Sequence, residues 1–172
     1  MSQMGKKPSP KMTMADLSDL AIKLVGSDTP DAAFAAVAAA AQTFIGHKLF
    51  TIMVFDESAM QVQRVYSDNP KAYPSGGRKA KQDTNWGRHV LEEGRPFIGY
   101  NREDIRTNFD DFDVIFELGL ESVLNIPIRV CGRTIGTMNL LHDEGFYGES
   151  DLECGTLLAG QLIGPICIHS SL

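Results

Sequence analysis

The sequence predicts an α+β domain: an antiparallel sheet with long terminal helices on one face and an irregular insertion covering the other. Three observations carry this expectation. Glu121–His142 reads as two apolar runs rich in Val, Ile and Thr around the turn signal Cys131-Gly132-Arg133, a hairpin suited to the middle of a sheet. Apolar residues recur at helical spacing near both ends of the chain. Residues 68–119, between two hairpins, hold turn signals and short helical patterns, too irregular for a solid layer and suited to a cavity wall.

Taken in order, residues 1–12 carry lysines, prolines and serines with little apolar content, which predicts a disordered tail ahead of a single domain over 13–172. A helix follows from Thr13, with Leu17, Leu20, Ile22, Leu24 and Val25 as its apolar positions and Gly26 as its stop. Thr29 reads as an N-cap, with Pro30 at the first helical position and Asp31 beside the positive end of the dipole. Phe34, Val37, Ala41 and Phe44 give that second helix one apolar face. Lys48–Phe55 and Met60–Ser67 read as strands on either side of a turn, and Asn69–Asp83 as a long loop containing Pro70, Pro74, Gly76 and Gly77. Thr84 caps a short helix through Glu93, ended by Gly94. Arg95–Tyr100 is a short strand, and 101–119 are short helices joined by Asp110, Asp111 and Asp113. Beyond the Glu121–His142 hairpin, a loop through Gly145 and Gly148 leads to a final helix beginning at Glu149 or Ser150, with a kink expected at Pro165.

With 172 residues, 43% hydrophobic and 22% charged, the chain has the composition of a soluble globular domain with a sizeable core. Its net charge of −6 argues against general nucleic-acid binding, which needs a basic surface to neutralise phosphates. No apolar run approaches the ~20 residues of a membrane span. Pro8, Pro10 and Lys11 stand where a signal peptide needs its apolar stretch. The expectation is a cytoplasmic protein without nucleic-acid or membrane partners. Cys131, Cys154 and Cys167 are odd in number and form no CxxC pair; the last two lie about 20 Å apart along one helix and cannot pair within the chain. No metal-ligand spacing, P-loop, GxSxG or paired-carboxylate motif occurs, so neither catalytic residues nor a metal site can be assigned, and the cofactor is unknown.

The most distinctive chemistry lies between Arg64 and Arg88. Arg64, Lys71, Arg78, Lys79, Lys81 and Arg88 cluster there against only Asp68 and Asp83, in an acidic protein. Tyr66, Tyr73 and Trp86 are interleaved with these bases, and Gly76-Gly77 lets a backbone approach closely. Cations for a carboxylate or phosphate and rings for an apolar or planar body describe a small-anion site. The same composition also fits a solvated basic loop that balances the acidic stretch 104–117. Arg64 and Tyr66 share number parity and are expected on one face of their strand. His89 could stack on a ligand, and the run Asp110-Asp111-Phe112-Asp113 reads as a solvated helix start.

Asn125 and Asn139 interrupt the apolar hairpin, and a buried amide must find partners or cost about 1–3 kcal/mol. A two-residue turn sets position 125 opposite 138 and sends the two amides to opposite faces. A three-residue loop pairs 125 with 139 and puts both on one face. Cys131-Gly132 favours the two-residue turn, so at least one amide should reach the cavity face, and Asn125 is the lining candidate.

The run S-V-L-N-I-P-I followed by C-G-R-T-I-G-T-M-N-L-L resembles the closing strands of GAF domains: a Pro inside the penultimate strand, a Gly-containing turn and an I-G-small-apolar strand. Pro127, Gly132, Ile135 and Gly136 occupy those positions, and the similarity runs from about Asp16 to Ile168. The resemblance implies a central antiparallel sheet of about six strands, a ligand cavity under the insertion and a sensory or regulatory role. It does not imply a ligand, because relatives bind cyclic nucleotides, bilins, haem or small acids. The cyclic-nucleotide signature N-K-x-F-x-x-x-D-E is absent, since Asp56-Glu57 follows Phe55 directly, and no Cys lies where bilin-binding relatives attach chromophore. GAF-type free methionine sulfoxide reductases are similar in size but need reactive cysteines in the middle region, and none occurs between Met1 and Val130.

These readings converge on a small-molecule-binding sensory module without catalysis. Its ligand is a small anionic or planar molecule, lined by Arg64, Tyr66, Tyr73, Lys79, Trp86, Arg88 and Asn125. A small redox enzyme and a ligand-free interaction module are the alternatives. The final helix keeps hardly any polar side: Leu152, Leu157, Leu158, Leu162, Ile163, Ile166 and Ile168 surround it. One side can pack on the sheet and the other needs a second partner, which the first two helices could supply. The resemblance implies a homodimer, since GAF domains commonly dimerise through their terminal helices.

Overall fold

The computed structural model describes residues 9–171. Most of the tail expected over 1–12 lies outside the described residues; within 9–12, the Ser9 hydroxyl donates to the Ile45 carbonyl at 3.2 Å and Met12 packs against the core. The helices are α1 (Met14–Val25), α2 (Pro30–Phe44), α3 (Arg102–Asn108), α4 (Phe112–Glu117), α5 (Leu152–Gln161) and α6 (Ile163–His169). The strands are β1 (Leu49–Asp56), β2 (Gln61–Ser67), β3 (Arg78–Ala80), β4 (Phe97–Gly99), β5 (Ser122–Val130) and β6 (Arg133–His142). They form one sheet in the order β3-β2-β1-β6-β5-β4, antiparallel throughout. The predicted α+β architecture and its six strands are present. One local correction concerns 69–83, which is not all loop: Arg78–Ala80 pairs with β2 as an edge strand.

Local chemistry sets the helix starts. The Thr13 side chain accepts from the Asp16 amide while Asp16 reaches back to the Thr13 amide, a reciprocal capping box. Thr29 accepts from the Ala32 amide and Pro30 occupies the first turn. Strand alternation then sends Phe50, Ile52, Leu124, Ile126, Met138 and Leu140 to one face. There they meet Phe34, Val37 and Ala41 of α2 and Leu158 of α5, together with Leu162 and Ile166. At Gly136 a Cβ would lie 2.3 Å from the Met53 carbonyl oxygen and 3.3 Å from Ile166 Cδ1, so β1 and α6 close over a position that only glycine fits.

The C-terminal helix breaks between α5 and α6, at Leu162. The expected effect of Pro165 falls there because proline removes the hydrogen bond to the carbonyl four residues back, that of Gln161, and its ring crowds that group. Taken across the break, Glu149–His169 spans 21 residues, long and apolar enough by length and composition to cross a membrane. This corrects the expectation that no stretch reaches that length. Only 28% of an 18-residue apolar segment within it is buried inside the domain, and Leu157 and Ile168 stand exposed.

The opposite sheet face carries the insertion, with two smaller apolar clusters. One joins Leu49, Val123 and Leu141 to Ile105, Ile115 and Leu120; the other joins Phe55 and Val62 to Trp86, Val90 and Leu91. Two bulges set which side chains reach this face. In β6 the pairing steps from Arg129–Thr134 to Ile128–Gly136, leaving Ile135 as the extra residue. In β2 it steps from Ile52–Tyr66 to Met53–Arg64, leaving Val65 extra. The turn at Cys131-Gly132 is the expected two-residue one, with φ of 50° and 76°, yet Asn125 pairs with Asn139. The bulge restores by one residue the register that the turn had removed. Both amides therefore face the insertion, correcting the expectation of opposite faces.

Candidate functional site

Between the sheet and the insertion lies a cavity of about 50 Å³. β1 supplies Leu49, Thr51 and Met53 to its floor, β2 supplies Arg64, and the central hairpin supplies Val123, Asn125, Asn139 and Leu141. Its walls are Tyr73, Lys79, Lys81 and Trp86, and Phe109, Asp111 and Ile115 cover it from the α3–α4 region.

The polar groups of the floor are hydrogen-bonded to one another. Trp86 Nε1 donates to Asn125 Oδ1 at 2.9 Å, Asn125 Nδ2 donates to Asn139 Oδ1 at 2.8 Å, and Asn139 Nδ2 reaches Thr51 Oγ1 at 3.3 Å. This chain ties the insertion to the sheet through buried groups, each satisfied by the next. Trp86 is presented by a short helix that Thr84 caps, its Oγ1 accepting from the Gly87 amide. The expected helix widens to a π-helical turn over Gly87–Glu92, a geometry frequent at functional sites. A Cβ at Gly87 would sit 2.4 Å from the Lys81 carbonyl oxygen; the missing side chain lets the turn press against the segment carrying Lys81.

The charges are arranged unevenly. Lys79 Nζ and the Tyr73 hydroxyl both reach Asp111 Oδ2, forming a closed ion pair and hydrogen bond. Asp111 is therefore not the solvated helix start expected from sequence; the cluster leaves it half-buried, while Asp110 and Asp113 are exposed. Burial pushes its carboxyl upward, but the hydrogen bonds from Lys79 and Tyr73 prevail and hold it below the ordinary value. Burial, then Asp111, drives the Tyr73 phenol far above its usual range.

Arg64 and Lys81 are 7% and 5% exposed, and neither has a carboxylate partner among the described residues. The Arg64 guanidinium lies over the Tyr73 ring at 4.5 Å, its Nη1 donates to the Pro74 carbonyl at 3.1 Å, and its buried Nε has no partner. Lys81 Nζ lies 5.1 Å over the Trp86 ring. Burial depresses both, reinforced at Lys81 by neighbouring Lys79, and this outweighs the opposing pull of Asp111 on both and of Asp110 on Lys81.

Of the residues expected in the site, Arg64, Tyr73, Lys79, Trp86 and Asn125 come together here. Tyr66 does not: the β2 bulge turns it to the helical face, where it packs on Phe34 and Phe50 with ring centroids 6.1 Å away. The parity argument that placed it beside Arg64 fails because Val65 is an extra residue. Arg88 is exposed on the π-helical turn and is not among the lining residues. His89 is engaged by the Pro96 carbonyl at 2.9 Å and stands edge-on to Phe97. Sequence reasoning missed Lys81, Phe109, Asp111 and Asn139 as lining groups; Lys81 sits in the same basic run, but alternation does not point it inward. None of Cys131, Cys154 and Cys167 lines the cavity. Among the described residues no group of His, Cys, Asp and Glu could hold a metal.

A family model for the GAF domain matches residues 27–162. No curated protein matches the chain. Among solved structures, the fold is similar to the GAF domain of an Acinetobacter phosphoenolpyruvate-protein phosphotransferase, at TM-score 0.74 and 14% identity, covering 94% of this chain and 97% of the other. It is also similar to the corresponding GAF domain from Coxiella burnetii, at TM-score 0.72 and 17% identity, covering 90% and 92%. The free methionine-R-sulfoxide reductase of Neisseria meningitidis is similar at TM-score 0.68 and 13% identity, covering 98% and 99%. At these identities the likeness speaks for the fold alone.

Proposed function

Since the chain belongs to the GAF domain family, whose members are small-molecule-binding sensory domains, we propose that it is a regulatory module that binds a small anion in the cavity under its insertion. One observation carries this reading: Arg64 and Lys81 are buried and, among the described residues, neither forms an ion pair, Asp111 being engaged by Lys79 and acting on both only at longer range. Desolvating an unpaired cation costs several kcal/mol, and an anionic ligand supplies the missing counter-charge. The aromatic and aliphatic walls give that ligand an apolar surround. Catalysis forms no part of the proposal. A sulfoxide reductase reading needs a thiol at the site, and the cysteines lie elsewhere.

The proposal extends to a cytoplasmic homodimer. Exposed thiols at Cys131 and Cys167 suit a reducing compartment. Met14, Ile22 and Val25 on α1, with Leu157 on α5 and Ile168 on α6, offer apolar surface for a second copy. The small cavity favours a second reading, a ligand-free dimerisation module with side chains filling its interior. Native mass spectrometry of the freshly purified chain, with thermal shifts across small carboxylates and phosphates, separates the two. A retained anion or a reproducible shift supports the sensor. Uniform failure across the panel supports the ligand-free module.

A further inference from the structure

We infer that the cavity selects a compact dianion, with Arg64 holding one anionic group and Lys81 the other; this rests on the anion-binding reading above. Four charged side chains line the cavity, Arg64, Lys79, Lys81 and Asp111. Lys79 is already neutralised by Asp111, whose same oxygen also accepts from Tyr73. What remains is two positive charges, and their present partners are a carbonyl and two ring faces. A ring face attracts a cation weakly and neutralises no charge. Arg64 Nε is buried with no hydrogen-bond partner, so the guanidinium is left incompletely satisfied by the protein.

The two cations come from separate segments, Arg64 from β2 and Lys81 from just beyond β3. Leu49, Met53, Val123 and Leu141 line the same cavity with apolar surface. That arrangement fits charge carried at two points of a short body better than one monoanion, which leaves a buried cation unmatched. The amides of Asn125 and Asn139 are consumed by Trp86, Thr51 and each other, so little remains to recognise a sugar or a base. A cavity of about 50 Å³ is also well below the roughly 300–1,000 Å³ of sites for drug-sized ligands. A short dicarboxylate and inorganic phosphate share the required chemistry.

The test titrates the full chain with succinate, butyrate and inorganic phosphate at matched ionic strength, read by calorimetry and by the emission of Trp86, the only tryptophan. Succinate is expected to bind at least about tenfold more tightly than butyrate, since only the diacid gains a second charge-assisted contact. Lys81→Met, which keeps a flexible apolar stem over Trp86, is expected to erase that preference. Phosphate binding more tightly than succinate assigns the same two-cation site to a phosphate rather than a dicarboxylate. Equal binding of succinate and butyrate by the unaltered chain overturns the dianion while leaving the anion site standing. No binding by any of the three overturns both. The comparison among ligands decides the matter even if Lys81→Met does not fold.

Discussion

Consider the replacement of Asn125 by alanine. Its carboxamide stands between two buried groups: the Trp86 indole N–H, which it accepts at 2.9 Å, and the Asn139 carbonyl oxygen, to which it donates at 2.8 Å. Trp86 is 3% exposed and Asn139 4%, so neither has bulk water as a substitute. Removing both partners at once orphans a donor and an acceptor, each costing about 1–3 kcal/mol. The neighbouring cavity lets water relieve part of this, so the expected loss is about 2–4 kcal/mol. Urea denaturation followed by circular dichroism measures it as a lower midpoint at unchanged slope. In a Trp86→Phe background the indole donor is gone and the same replacement is expected to cost about 1 kcal/mol less, a coupling that a double-mutant cycle isolates. A loss below about 0.5 kcal/mol, or a cost identical in both backgrounds, would refute the claim that this amide chain fastens the insertion to the sheet.

Gly136→Ala drives a methyl to 2.3 Å from a backbone oxygen of β1, and neither strand can move without its neighbours. A loss of about 3 kcal/mol or more in chemical denaturation is expected, at the upper end for overpacked cores. Cys131→Asn is expected to stabilise by about 0.5–1 kcal/mol in the same assay, because Cys131 holds φ 50° in a two-residue hairpin turn that Asn-Gly favours. The Asp111 carboxyl has a folded-state value below its ordinary 3.8, so its stabilising contribution is complete above that value. It is lost as pH falls through the lowered folded value, and Asp111→Asn should flatten that part of the acid-stability curve. Lys81 has the opposite sign: its folded value is depressed, so its charge opposes folding near neutrality and the penalty fades as pH rises through that value. Lys81→Met is expected to weaken the alkaline rise in stability, as measured by denaturation across pH.

Much of the fold was legible because it rests on local rules. Thr13 and Thr29 announce helix starts through capping chemistry that needs no tertiary partner. The Cys131-Gly132 turn and the two apolar runs rich in Val, Ile and Thr mark the central hairpin, and Pro165 marks the break in the last helix. The basic-aromatic run from Arg64 to Trp86 likewise identified where the site's cations and rings come from.

Which of those side chains share the site was a tertiary decision. Val65 and Ile135 are apolar and fit either face, so nothing in the alternation shows that each is the extra residue of a bulge. One such residue moves every later side chain to the other face. The β2 bulge separates Tyr66 from Arg64, and the β6 bulge brings Asn139 to Asn125. Asp111 likewise looks like any acidic helix start until Lys79 and Tyr73, remote in sequence, close on it. Residue types and local turns determined what chemistry this chain could offer; register and long-range pairing decided which of it meets in one cavity, because a single unpaired residue in a strand leaves no local signature.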